Sequence, residues 1–213
     1  MKQPEYRSYS GQDFRANETA SDGKVIIGHA AVFGQRTNVC GMFEEVIDIG
    51  AFDTTDFRDV ALMVNHDWAK IPLARSRRNN ANSTLRLSVD EVGLAIQAKL
   101  DVDNNADART LYSAVERGDL DGMSFAFIVD GEEWEDLESE VPLRRIKSIS
   151  RVMEVSACTY PQYSNTDIQA RAVSTLDSAK RALENARRQL VDTDSEIEIY
   201  RLKNQILGGI NYE

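Results

Sequence analysis

The sequence predicts a mainly β fold of the α+β class, a closed β-barrel with one inserted helix and a helical arm after it. Three observations carry this. Apolar and β-branched runs of strand length recur at short spacing between residues 24 and 161. Within that region one segment, "NNADARTLYSAVERGDL", has helical periodicity and end signals. From about Ala170 the composition changes, and neither glycine nor proline occurs again before Gly208.

The elements follow in order. Residues 1–23 are polar and read as a lead-in or an edge strand. "KVIIGHAAVFG" is rich in β-branched and apolar residues and predicts a strand. "FEEVIDIGAF" predicts a short second strand ending near Gly50. "DVALMVNHDW" predicts a third, with Leu62, Val64 and His66 on one face. "STLRLSVDEVGLAIQAKL" is two alternating runs joined by a turn around Asp90 to Gly93, the pattern of a hairpin. In the helix, Asn104 or Asn105 caps the start, Leu111 and Val115 lie four apart, and Gly118 ends it. "GDLDGMSFAF" then alternates. Met123, Phe125, Phe127 and Val129 form a large apolar face, and Gly122, Ser124 and Ala126 form a small, bare one. "GEEWEDLESEVP" reads as an acidic loop or a weak hairpin arm. "LRRIKSISRVMEVSACTY" is a long strand-like run closed by Pro161.

In the arm, Leu176, Leu183, Leu190 and Ile197 recur every seven residues, and Ala179, Ala186, Thr193 and Tyr200 recur three places later. This is a heptad seam with small residues at one position. "VDTDSE" is a polar stretch where a second helix could start. Two readings stand side by side: an interaction arm, or a helix that packs back on the barrel. Domain bounds follow as a lead-in over 1–23, a barrel over 24–170 and the arm over 171–213.

Bulk properties exclude several function classes. The net charge is −10, and the arm is balanced with seven basic and seven acidic residues, so the acidic excess belongs to residues 1–170. No basic footprint for nucleic acid is present. Two cysteines, Cys40 and Cys158, both in apolar strand-like runs, make no disulfide framework and fit a reducing, cytosolic setting. The N-terminal "MKQPEYRSYSGQDF" has no apolar stretch of the secretory kind, and no window approaches the ~18 apolar residues of a membrane helix.

Histidine is scarce, with only His29 and His66. No His-x3-His or Cys-x2-Cys spacing suggests a metal, and no glycine-rich phosphate loop occurs, so no cofactor is expected. Serine chemistry asks for less: a histidine within reach of the hydroxyl, a group to orient it, and donors for the oxyanion. Ser124 is either an ordinary residue of a half-exposed strand or a nucleophile, with room for substrate above its small neighbours. His66 closes an apolar strand, where a sheet can fix a side chain that still reaches solvent. His29 lies mid-strand on the face of Val25, Ile27 and Phe33, which suits a buried histidine bonded to a backbone carbonyl. Glu154 shares a face with Val152, Ser156 and Cys158, and a carboxylate in so apolar a strand needs a partner such as histidine.

Three blocks, "LMVNHDWAKIPLAR", "ERGDLDGMSFAFIV" and "RRIKSISRVMEVSACTYPQYS", resemble in order and spacing those of the tailed-phage prohead serine proteases, and "GHAAVFG" and "FEEVIDIGAFD" fit the family's start. The resemblance covers about residues 20–170. The chain departs from the pattern at Ala74, where glycine is common, and at "TYPQYSNTD", in place of a Pro-Ala-Asn ending. The resemblance implies a barrel similar to the herpesvirus assembly proteases, with Ser124 as nucleophile, His66 as base and Glu154 as acidic partner. His29 is the alternative third member, as in the two-histidine arrangement of the herpesvirus enzymes. Arg144 and Arg145 either steady negative charge near the site or form a solvated pair. The implied activity is a serine endopeptidase of capsid maturation. It would act inside the assembling prohead in the host cytoplasm on the scaffold segment of the major capsid protein, on other prohead components and on itself. Self-association is a further expectation; nucleic acid and membrane are not expected partners. The rival reading is a catalytically inactive internal scaffold that works through its coiled-coil arm.

Overall fold

Alternating apolar faces sort the strands into two sheets that pack across one core. The computed structural model describes residues 3–10, 13–19, 23–159 and 169–208. Its elements are β1 (Glu5–Ser10), β2 (Arg15–Thr19), β3 (Gly23–Val32), β4 (Thr37–Val39), β5 (Phe43–Ile47), β6 (Ala61–Val64), β7 (Ala74–Arg75), β8 (Leu85–Val89), β9 (Gly93–Lys99), α1 (Ala106–Glu116), β10 (Gly122–Glu135), β11 (Leu143–Cys158) and α2 (Gln169–Gly208). The larger sheet runs β1-β10-β11-β5-β4, with β6 paired to β11 and β7 paired to β6; the smaller runs β2-β3-β9-β8. Ile26, Leu85, Leu94 and Ile96 from the smaller sheet and Leu62, Phe125, Phe127, Ile149 and Val155 from the larger form a single apolar cluster. Burying side chains of this size contributes about 1.5–3 kcal/mol each.

The fold is therefore α+β and mostly sheet. Among the described residues, however, no ladder of strand pairs closes the two sheets into a ring. β3 packs against β10 and β1 without pairing to them. The edges that would close the ring carry other strands: β1 lies on β10, and β2 lies on β3. The β8–β9 hairpin forms as its sequence predicts. Gly93 is required there, because a Cβ at that position would stand 2.1 Å from the carbonyl oxygen of Ala31.

The inserted helix α1 starts at Asn105, whose side chain accepts from the backbone N–H groups of Asp107 and Ala108 at 3.0 and 3.3 Å. It buries Ala108, Leu111, Tyr112 and Val115, and Gly118 follows it with φ +74. A glycine adopts that left-handed turn without a Cβ penalty, and the chain reverses into β10. Of the two readings of the acidic segment, the hairpin arm holds for its first part: β10 runs on to Glu135, against Leu143 at the start of β11. Cys40 departs from its strand-like expectation: it is exposed, with φ +55, in the turn between β4 and β5.

The arm is one helix that runs through "VDTDSE" without a break. Ala179 and Leu183 pack on Val39 and Phe43, beside Met42, Trp134 and Leu137. Arg187 donates to the carbonyls of Leu137 and Ser139, each at 3.1 Å. Beyond this docked half, residues 195–204 are exposed, including Ile197, Ile199, Tyr200 and Leu202.

Candidate active site

The register of three strands places serines side by side. Ser124 of β10 lies opposite Ser8 of β1 and opposite Ser156 of β11. Directly opposed residues point to the same face of a sheet. The face of Gly122, Ser124 and Ala126 is thus also the face of Cys158, Ser156 and Glu154, their partners on β11, and of Ser10, Ser8 and Tyr6 on β1. On the opposite face Phe125 and Phe127 stack with ring centroids 4.3 Å apart in the core. The alternation read from the sequence is correct, but the small-residue face is not bare: Ser124 and Ala126 are both wholly buried.

His66 reaches this face because the chain turns sharply after β6. Asn65 and His66 have φ +51 and +56, two successive left-handed residues, so His66 does not continue the face of Leu62 and Val64. Non-glycine residues hold that conformation only where the surroundings enforce it. Here they do. The backbone N–H of Asn65 donates to the carbonyl of Ala157 at 2.9 Å. The Asn65 side chain donates to the Thr159 hydroxyl at 3.1 Å and accepts the Thr159 backbone N–H at 3.0 Å. The backbone N–H of His66 donates to the Ser156 hydroxyl oxygen at 3.1 Å. The turn is therefore fastened to the end of β11, the strand that carries the carboxylate.

Glu154 is wholly buried, and its Oε1 is hydrogen-bonded to Nδ1 of His66. Its Oε2 accepts from the Ser156 hydroxyl at 2.7 Å. Ser156 thus joins the carboxylate to the histidine backbone, a role that its bare identity in "MEVSACTY" did not reveal. The one available signal was its place two residues after Glu154, on the same face of a strand. Cys158 completes the row. Burial, with the Glu154 charge adding to it, pushes its thiol up to about 12, so it is no thiolate nucleophile.

The structure does not bring His29 into this group. It stands on β3 in the smaller sheet, and its Nε2 is 3.0 Å from Asp90 Oδ2 rather than bonded to a backbone carbonyl. Nor are the two arginines a solvated pair; both are held by carboxylates. Arg144 is buried in an ionic cluster, with Nη1 at 2.7 Å from Glu5 Oε2 and 2.9 Å from Glu45 Oε2, and a further bond to Glu132. Arg7 joins the same cluster through Glu45 at 2.6 Å and Glu5 at 2.8 Å. Arg145 pairs with Asp48 at 3.0 Å and with Glu135.

Two further contacts come from β1. The hydroxyl of Ser124 donates to the backbone carbonyl of Arg7 at 2.7 Å. The ring of Tyr6 meets that of His66 edge-on, with centroids 5.0 Å apart. Among the described residues no group of three or more histidine, cysteine and carboxylate side chains is placed to hold a metal ion. What the site offers is a buried carboxylate that fixes the tautomer of a histidine, next to a serine on the same face. That arrangement suits general-base activation of a hydroxyl.

A family model described as caudovirus prohead serine protease matches residues 11–181. Among solved structures, that of the bacteriophage T4 capsid assembly protease, gp21, is similar at 10% sequence identity with a TM-score of 0.42, over 73% of this chain and 98% of that one. A search of curated proteins finds no match.

Proposed function

The chain belongs to the caudovirus prohead serine protease family, and on that premise we propose that it is a serine endopeptidase in which Ser124, His66 and Glu154 carry the chemistry. His66 Nε2 takes the proton of Ser124 as the oxygen attacks the scissile carbonyl, and returns it to the leaving amine. Glu154 holds the proton of His66 on Nδ1 and stabilises the imidazolium that forms. Ser156 keeps Glu154 in place for this. Water then enters by the same route in reverse, and the acyl-enzyme is hydrolysed. The substrates we assign are the scaffold segment of the major capsid protein, other prohead components and the chain itself, cut inside the assembling prohead.

The observation that supports this reading is the buried Glu154–His66 pair, whose carboxylate shares its sheet face with Ser124. A wholly buried carboxylate is costly unless paired, and this one spends its second oxygen on a serine that also holds the histidine backbone. A network so fully committed to orienting one imidazole serves an imidazole that does work. The test is co-expression of the Ser124→Ala chain with its capsid protein, read on a gel. Unprocessed capsid protein is expected with the variant and processed protein with the wild type. Normal processing by a folded Ser124→Ala chain would sink the proposal.

A further inference from the structure

We propose that β1 is an internal latch that occupies the substrate edge of β10 and must leave it before Ser124 can react; this rests on the reading of Ser124 as nucleophile. Four observations support it. First, a hydroxyl carries one proton, and that of Ser124 is given to the Arg7 carbonyl, so in this conformation it is not offered to His66. Second, Ser124 is wholly buried and His66 nearly so, whereas a peptide bond must reach both. Third, β10 is paired on both edges at the serine, by β11 and by β1. An extended peptide that adds to a sheet needs an open edge, and of these two neighbours β11 carries Glu154 and Ser156 and cannot move without dismantling the site. β1 is the expendable one. Fourth, the family match begins at residue 11, just past the end of β1 at Ser10, so the strand lies outside the region shared with the family.

The geometry of the latch resembles that of a bound peptide. β1 runs antiparallel to β10, places a backbone carbonyl at the nucleophile and sets Tyr6 against the base. Its other face provides the catch. Glu5 and Arg7 enter the buried cluster with Glu45 and Arg144, and Tyr9 packs near Phe125, with ring centroids 6.4 Å apart. Glu45 and Arg144 stay paired with each other when β1 departs, so release does not strand a buried charge on the body of the protein. The occupant that replaces β1 is an extended peptide segment.

The experiment uses the full chain with a fluorophosphonate probe for Ser124. Tyr6 and Ala126 are directly opposed, and opposed residues of an antiparallel pair lie within disulfide range. A Tyr6→Cys/Ala126→Cys variant in a Cys40→Ser background is compared oxidised and reduced. The expected result is labelling about tenfold or more slower in the oxidised form, restored by reductant, since reactivity scales with the open fraction. Equal rates in the two forms overturn the latch and leave the serine-protease reading intact. No labelling of the reduced form and of wild type overturns the nucleophile assignment and the latch with it. Hydrogen exchange of the wild-type chain gives a second measurement that needs no new disulfide. Amides of β1 are expected to exchange well before those of β11, through a local opening. Exchange of β1 only together with β11 would refute the latch.

Discussion

Replacing Glu154 by glutamine tests the site at its most determined point. The side chain keeps its size, but two acceptor oxygens become one acceptor and one donor. The Ser156 hydroxyl oxygen already accepts the backbone N–H of His66, and its proton needs an acceptor because Ser156 is wholly buried. The amide oxygen of the Glu154→Gln side chain satisfies that need only by facing Ser156, which turns the amide NH2 toward Nδ1 of His66. Nδ1 must then accept, the ring proton moves to Nε2, and the nitrogen needed as base is blocked. The opposite orientation leaves the Ser156 hydroxyl unpaired, at a cost of about 1–3 kcal/mol. Loss of the negative charge beside the imidazolium adds a few kcal/mol at an effective dielectric of about 20. Together these correspond to a fall of roughly a hundredfold to ten-thousandfold in fluorophosphonate labelling and in capsid-protein processing. The logic has a built-in control. Adding Ser156→Ala removes the group that fixes the amide, so the double variant is expected to label about tenfold faster than Glu154→Gln alone. Near-wild-type labelling by Glu154→Gln would refute the role of the carboxylate. A double variant slower than the single would refute the role of Ser156 in setting its orientation.

Other outcomes follow from the same structure. His66→Ala should remove processing almost entirely, because base and nucleophile act as a unit, whereas His29→Gln, on the other sheet beside Asp90, should process normally; activity lost through His29 in a folded chain would contradict the assignment. In acid, Arg7 and Arg144 outweigh burial and hold Glu5 down to about 2 from an ordinary 4.5. Its contribution, about 3 kcal/mol, is fully present above pH 4.5 and is lost as pH falls toward 2; urea melts of wild type and Glu5→Gln should therefore converge across that window, and a constant gap would argue against the cluster. A chain ending at Val191 keeps Ala179 and Leu183 on Val39 and Phe43 and should melt near wild type. One ending at Arg171 uncovers Phe43 and should lose about 3 kcal/mol or more, which a thermal melt will show.

Local patterns told much of this protein's structure in advance. Alternation in "GMSFAFIV" gave β10 and its two faces, and the cap and stop signals gave α1 almost to the residue. The cost of a carboxylate in an apolar strand pointed to a partner for Glu154, and two histidines left a short choice. Those inferences succeed because periodicity and burial cost are properties of one segment, fixed before any other segment arrives. What joined Glu154 to His66 instead of His29 was the left-handed turn at Asn65 and His66, held by β11 ninety residues away in the chain. The covering of Ser124 was likewise invisible in the sequence. "EYRSYS" is polar, and nothing in it says that Glu5 and Arg7 will be buried, because their pair is completed by the distant Glu45 and Arg144. The heptad spacing of the arm was legible, yet its docking on Phe43 depended on how β4, β5 and Trp134 came together. Side-chain character determines what a segment can bury; which segment meets it, and whether a small-residue face stays open or is covered, is decided by long-range pairing, whose free energy belongs to both partners at once.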